Sequence, residues 1–165
     1  MNMFKALFAV LALSFTLNSL AITDDEQVEF TDGITEGKMK IVEKFVKADV
    51  KIVNEKFFGW SPLQMAANRG QIAVAKYLLE KGADINYVHP VAHHTAFHLA
   101  ALSGHTEMAK FLASKGADVN TKLKADVSLI RYFRDNENPQ MVEFLTGLGV
   151  KDDGCKENKC FEEPD

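Results

Sequence analysis

Two stretches of the 165-residue chain repeat each other 34 positions apart. Ser61-Pro62-Leu63-Gln64-Met65-Ala66-Ala67-Asn68-Arg69-Gly70 is answered by Thr95-Ala96-Phe97-His98-Leu99-Ala100-Ala101-Leu102-Ser103-Gly104, and Gly82-Ala83-Asp84-Ile85-Asn86 by Gly116-Ala117-Asp118-Val119-Asn120. Self-similarity at a fixed spacing of this size marks a stacked array, because a unit so small cannot bury its own apolar face and completes its core on its neighbours. Such arrays are usually binding scaffolds, so the same feature that fixes the fold narrows the function.

Each copy carries the local signals of two helices. Ser61 and Thr95 are good N-caps, Pro62 is tolerated in a first turn, and the Ala66-Ala67 and Ala100-Ala101 pairs let helices approach closely. Gly70 and Gly104 end these first helices. Second helices follow, with Ile72, Val74, Ala75, Leu78 and Leu79 at helical spacing in one copy and Met108, Ala109, Phe111 and Leu112 in the next, stopped by Gly82 and Gly116. The Ser-Pro-Leu-Gln-Met-Ala-Ala and Thr-Ala-Phe-His-Leu-Ala-Ala segments resemble the opening signature of the ankyrin repeat. That family's unit of about 33 residues is a β-turn finger followed by two antiparallel helices.

Weaker copies flank the pair. Thr35 to Val46 precedes the segment from Asn68 onward by 33 positions, with Val28, Phe30 and Ile34 marking a shortened first helix; Ser128 to Arg134 and Met141 to Leu145 follow their counterparts by 33. Terminal units of an array are atypical because one face meets water. The resemblance therefore implies an all-α ankyrin-repeat solenoid over residues 22–150, with units near 25–54, 55–86, 87–120 and 121–150, and capping units at both ends.

The chain ends read differently. Lys5, the apolar run Ala6 to Phe15 and Ser19-Leu20-Ala21 have the order of a secretory signal peptide, residues 1–21, cut after Ala21. An uncleaved anchor helix is the alternative, and Asn18 and Ser19 end the apolar run early for it. This pattern suits bacterial export to the periplasm, with release from the cell left open. Without Lys5, 18 Lys and Arg face 23 Asp and Glu, a mature balance of −5. That mild acidity argues against nucleic-acid or anionic-membrane partners. In an exported chain the two cysteines, Cys155 and Cys160 in the tail 151–165, are expected to close a small disulfide loop.

No constellation suggests catalysis, and no cofactor motif is present. Gly33-Ile34-Thr35-Glu36-Gly37-Lys38 is only superficially like a phosphate loop: its glycines are one residue too close, and Met39 stands where Ser or Thr would hold magnesium. No nucleophile, base and orienting group can be named together. Four of five histidines crowd between His89 and His98. His98 and His105 fall on positions that the ankyrin resemblance assigns to loop-tying hydrogen bonds, leaving His89, His93 and His94 as a possible metal or pH-sensing cluster, or an ordinary polar finger.

The resemblance implies binding through finger tips and the concave face of the first helices. Carried over residue by residue, it points to Phe57, Phe58, Trp60, Asn68 and Arg69 in the second unit, and to His93, His94, Leu102 and Ser103 in the third. Lys124, Val127, Asp135 and Asn136 correspond in the fourth. Phe57, Phe58 and Trp60 are the least expected in a polar finger: exposed together they form an anchor patch, while a folded-back Phe57 or Phe58 would instead cover the first unit. The expected function is non-catalytic binding of one protein partner by a monomer, with no membrane insertion after cleavage. Similar small periplasmic proteins of bacteria include one linked to catalase support and others resembling immunity proteins, so a toxin inhibitor or a metal- or stress-linked accessory using the histidine finger are the alternatives.

Overall fold

A computed structural model describes residues 22–155 of the protein; the leader-like segment 1–21 and Cys160 lie outside the described residues. Four helix pairs follow one another: α1 (Asp24–Thr35) with α2 (Met39–Ala48), α3 (Pro62–Asn68) with α4 (Ile72–Glu80), α5 (Ala96–Leu102) with α6 (Thr106–Ser114), and α7 (Leu129–Asp135) with α8 (Pro139–Gly147). Within the described residues no strand forms beyond an isolated bridge between Phe57 and Trp60.

The caps act as the residue types demand. Ser61 Oγ and Thr95 Oγ1 accept the amides of Gln64 and His98, and these third-position side chains answer by accepting the amides of Ser61 and Thr95, closing a reciprocal box. Ser128 caps α7 in the same way from one side only. After α1, α3 and α5 the chain reverses at Gly37, Gly70 and Gly104, all at positive φ; after α7 the same place is held by Glu137 at φ +53°.

The first unit departs from the sequence expectation. Its first helix is not shortened: α1 runs for 12 residues, the longest helix among the described residues. Thr23 caps it in a box with Glu26, and Asp24, Asp25 and Glu26 place negative charge in its first turn, where the helix dipole favours it. Phe30 and Ile34 are buried as their spacing implies, but Val28 points outward.

One apolar core runs the length of the array, from Phe30 through Leu63, Phe97 and Met108 to Leu145. Buried Ala66-Ala67 and Ala100-Ala101 let α3 and α5 come close. In the fourth unit Phe133 and Arg134 replace that small pair, and α7 stands further from α5. A ladder of asparagines binds each unit to the next: Asn54 accepts the amide of Asp84 at 2.9 Å, Asn86 that of Asp118 at 2.8 Å, and Asn120 that of Lys151 at 2.8 Å.

Past α8 the chain folds back over α7. Asp153 accepts the amide of Ser128 at 3.0 Å, and Arg134 pairs with Asp152 and reaches the Cys155 carbonyl. Although burial pushes the other way, amide hydrogen bonds from Ser128 and Cys155 hold the Asp153 carboxyl below the usual range. The segment thus supplies the contacts that a fifth unit would otherwise make.

Candidate functional site

The second finger is a two-residue hairpin. Phe57 and Trp60 exchange backbone hydrogen bonds of 2.9 and 3.0 Å, and the turn between them has Phe58 at φ +53° and Gly59 at φ +84°. A turn with positive φ at both central positions matches the twist of a hairpin and normally selects Asn or Gly. Residues directly opposite in such a pair share one face. Phe57 and Trp60 accordingly both turn inward, and Phe58 is carried out on the tip.

This divides the expected aromatic patch. Phe57 is 5% exposed and packs edge-on against Phe30 with ring centroids 5.7 Å apart, so it belongs to the core and is removed from the contact residues. Trp60 is half-buried. Phe58 is 96% exposed, the most open large apolar side chain among the described residues.

The third finger is built around His89. Its Nδ1 accepts the amides of Val91 and Ala92 at 3.2 and 3.0 Å, while backbone bonds link His89 to His93 and His94. Trp60 lies on the His89 ring at 4.0 Å, with the His94 ring 6.4 Å away. Tyr87 donates its hydroxyl hydrogen to the Gly59 carbonyl at 2.8 Å, and Gln64 Nε2 donates to the carbonyls of Tyr87 and His94. At Gly59 a Cβ would lie 2.7 Å from His89 Nε2, so only glycine lets the two fingers close to this distance. Fingers two and three are therefore one rigid edge, carrying Phe58, Val88 and Val91 outward.

Histidine chemistry follows from the hydrogen bonds. An Nδ1 that accepts amide hydrogens forces the proton of a neutral ring onto Nε2, so His89 has no lone pair left to offer a metal. His98 is committed likewise, with Nδ1 accepting from Thr95 and Nε2 donating to the Thr121 carbonyl at 2.8 Å. No three His, Cys, Asp or Glu side chains gather at metal-binding distance among the described residues. The sequence cluster His89, His93 and His94 thus does not assemble as a ligand set: His93 is exposed, at φ +58°, and His94 points its Nδ1 into the protein without a hydrogen-bond partner. Burial pushes the His98 imidazole down to about 4, opposed by its bond to Thr121. Burial also lowers His94, with His89 and His93 adding to the effect.

On the concave face Ser103 donates to Asn68 Oδ1 at 2.9 Å across the two units; Arg69 is exposed beside them and Leu102 half-buried. Lys124, Asp135 and Asn136 are exposed in the fourth unit, and Val127 is half-buried with its carbonyl accepting the Leu123 amide. Val88 and Val91 are edge residues that the sequence reading passed over. Their signal was present, as two apolar side chains in a finger otherwise rich in histidine.

The family described as ankyrin repeats, in three copies, matches residues 33–122. Curated relatives share the name "Ankyrin repeat, SAM and basic leucine zipper domain-containing protein 1". The one from Notamacropus eugenii is 29% identical over 72 residues, 44% of this chain and 15% of its own. That from Dasypus novemcinctus is 27% identical over 71 residues, 43% of this chain and 15% of its own. The chain thus spans about a seventh of the length of these relatives.

Proposed function

Because the chain belongs to the ankyrin-repeat family, whose repeats generally mediate protein interactions and are generally non-catalytic, we propose that it is a non-catalytic, exported scaffold that holds one protein partner. The partner sits on the edge formed by fingers two and three, with Phe58 as its anchor and Asn68, Arg69, Leu102 and Ser103 as the flanking concave contacts. Phe58 carries this reading. A bulky side chain at positive φ costs roughly 1 kcal/mol or more, and at 96% exposure the ring gains too little from the described residues to offset it. A partner that buries the ring accounts for both.

Phe58→Ser in the mature chain tests this. The variant is expected to keep its helical circular dichroism and its thermal midpoint while losing at least tenfold in partner capture from the envelope fraction. A variant that stays folded and captures the partner at full strength ends the reading. Export to the periplasm rests on the leader-like order of residues 1–21, and a mature N-terminus at Ile22 in the envelope fraction is its check; no helix among the described residues is long and apolar enough to cross a membrane. The Cys155 and Cys160 pairing belongs to the same proposal, and free-thiol labelling of the exported protein before and after reduction reads it out.

A further inference from the structure

Fingers two and three are joined by the bonds of Tyr87 to Gly59 and of Gln64 to the Tyr87 and His94 carbonyls, and by Trp60 lying on the His89 ring, and imidazoles hold the third finger in the shape that makes this contact. His89 and His98 both use Nδ1 to accept backbone amides, and His98 Nε2 continues to the Thr121 carbonyl, tying the third finger to the fourth. Between them stands His94, its ring 6.3 Å from His98 and 6.4 Å from Trp60, with an Nδ1 that is buried and unpartnered. An imidazolium carries N–H on both nitrogens, so rings bonded in this way are neutral. We propose that the column of Trp60, His89, His94 and His98 is an acid-sensitive clamp: proton uptake turns each Nδ1 acceptor into a donor, sets it against the amides it held, and loosens the third finger so that His89 no longer covers Trp60, while the helices stay folded.

The surroundings favour this direction. The titratable and charged groups facing the column are His93, the Tyr87 hydroxyl bonded to Gly59, Lys56 lying 4.1 Å over the Tyr87 ring, and Asp118. Burial lowers both His98 and His94; Asp118 opposes this at His98, yet the ring still titrates only at about 4. A freed histidine takes its proton near 6.5, so acidification below that value favours release, on the order of 100-fold for His98 alone between pH 7.5 and 4.5. A partner held by Phe58 and Val91 would be let go in acid; that consequence rests on the proposed function, whereas the clamp does not.

Trp60 is the single tryptophan of the chain, so the clamp reports on itself. The test is acrylamide quenching of Trp60 in the mature protein, titrated from pH 7.5 to 4.5 beside far-UV circular dichroism, with no partner present. Quenching is expected to rise severalfold between pH 6.5 and 4.5 while the helical signal holds. His98→Gln keeps both hydrogen bonds in the way that Gln64 does one unit earlier, and His89→Asn keeps an acceptor. The double variant is expected to move the rise at least one pH unit lower or remove it. A flat quenching profile, a rise that coincides with loss of helix, or a double variant that opens at the wild-type pH would each overturn the clamp. Each partner outcome remains separable, since Phe58→Ser alters binding without touching an imidazole.

Discussion

Phe58 and Glu137 occupy backbone conformations that glycine adopts without penalty, and they do so for different reasons. Glu137 stands where Gly37, Gly70 and Gly104 reverse the chain in the other units, at φ +53° and exposed. Glu137→Gly is expected to raise stability by about 0.5–1 kcal/mol in urea unfolding, since it removes strain and no buried contact. Phe58→Gly should give a similar gain, because the ring touches little, yet partner capture should fall. A stabilised variant that binds worse separates an anchor from a structural residue, which a destabilised one would not. The aromatic cluster was legible as unusual from Phe57, Phe58 and Trp60 in sequence, but not which ring would face out. That assignment depends on the hairpin register, and register is set by the two hydrogen bonds between Phe57 and Trp60.

Among the elements, α3 and α5 show how a short helix can serve two tasks. Each spans seven residues, too few for intrinsic propensity to sustain it, so caps and packing carry it. The third-position side chains, Gln64 and His98, close the cap on one side and reach the following finger on the other. Gln64→Ala is therefore expected to cost roughly 2–3 kcal/mol, because it leaves the Ser61 amide and the Tyr87 carbonyl without their partner. Thr95→Ala, which removes only the cap acceptor, should cost about 1 kcal/mol. Thermal unfolding of the two variants decides whether the order holds. The caps were readable from Ser61 and Thr95, whose preference for this place is local. The length of α1 was not, because its start rests on Thr23 and Glu26, beyond the reach of the repeat spacing.

Across the whole molecule the stacking is uneven. α3 and α5 are close, while α7, with Phe133 and Arg134 in place of the alanine pair, stands further from α5, and the chain after α8 returns to cover α7 through Asp153 and Asp152. Amide exchange in α7 and α8 is accordingly expected to be faster than in α3 and α5, and Asp153→Ala should widen that gap before it lowers the global midpoint. Acid acts on the array as well as on the finger. The unfolded chain binds the His98 proton near 6.5 and the folded chain only at about 4, so the contribution of the neutral ring is complete above pH 6.5 and is lost as pH falls towards 4. It amounts to roughly 3 kcal/mol for a shift of this size. Urea midpoints measured at pH 7 and pH 5 should fall less in His98→Gln than in the parent.

The 34-residue spacing was enough to determine the unit, its two helices, the caps and the all-α stack, because each depends on residues within one turn or one repeat of each other. What faces what between fingers was decided only by the tertiary structure. Phe57 went to the core and Phe58 to water by hairpin register, and His89 and His94 turned from candidate ligands into rings packed beside Trp60. No spacing rule encodes such choices, since they follow from which lone pairs and ring faces the neighbouring repeat leaves unfilled.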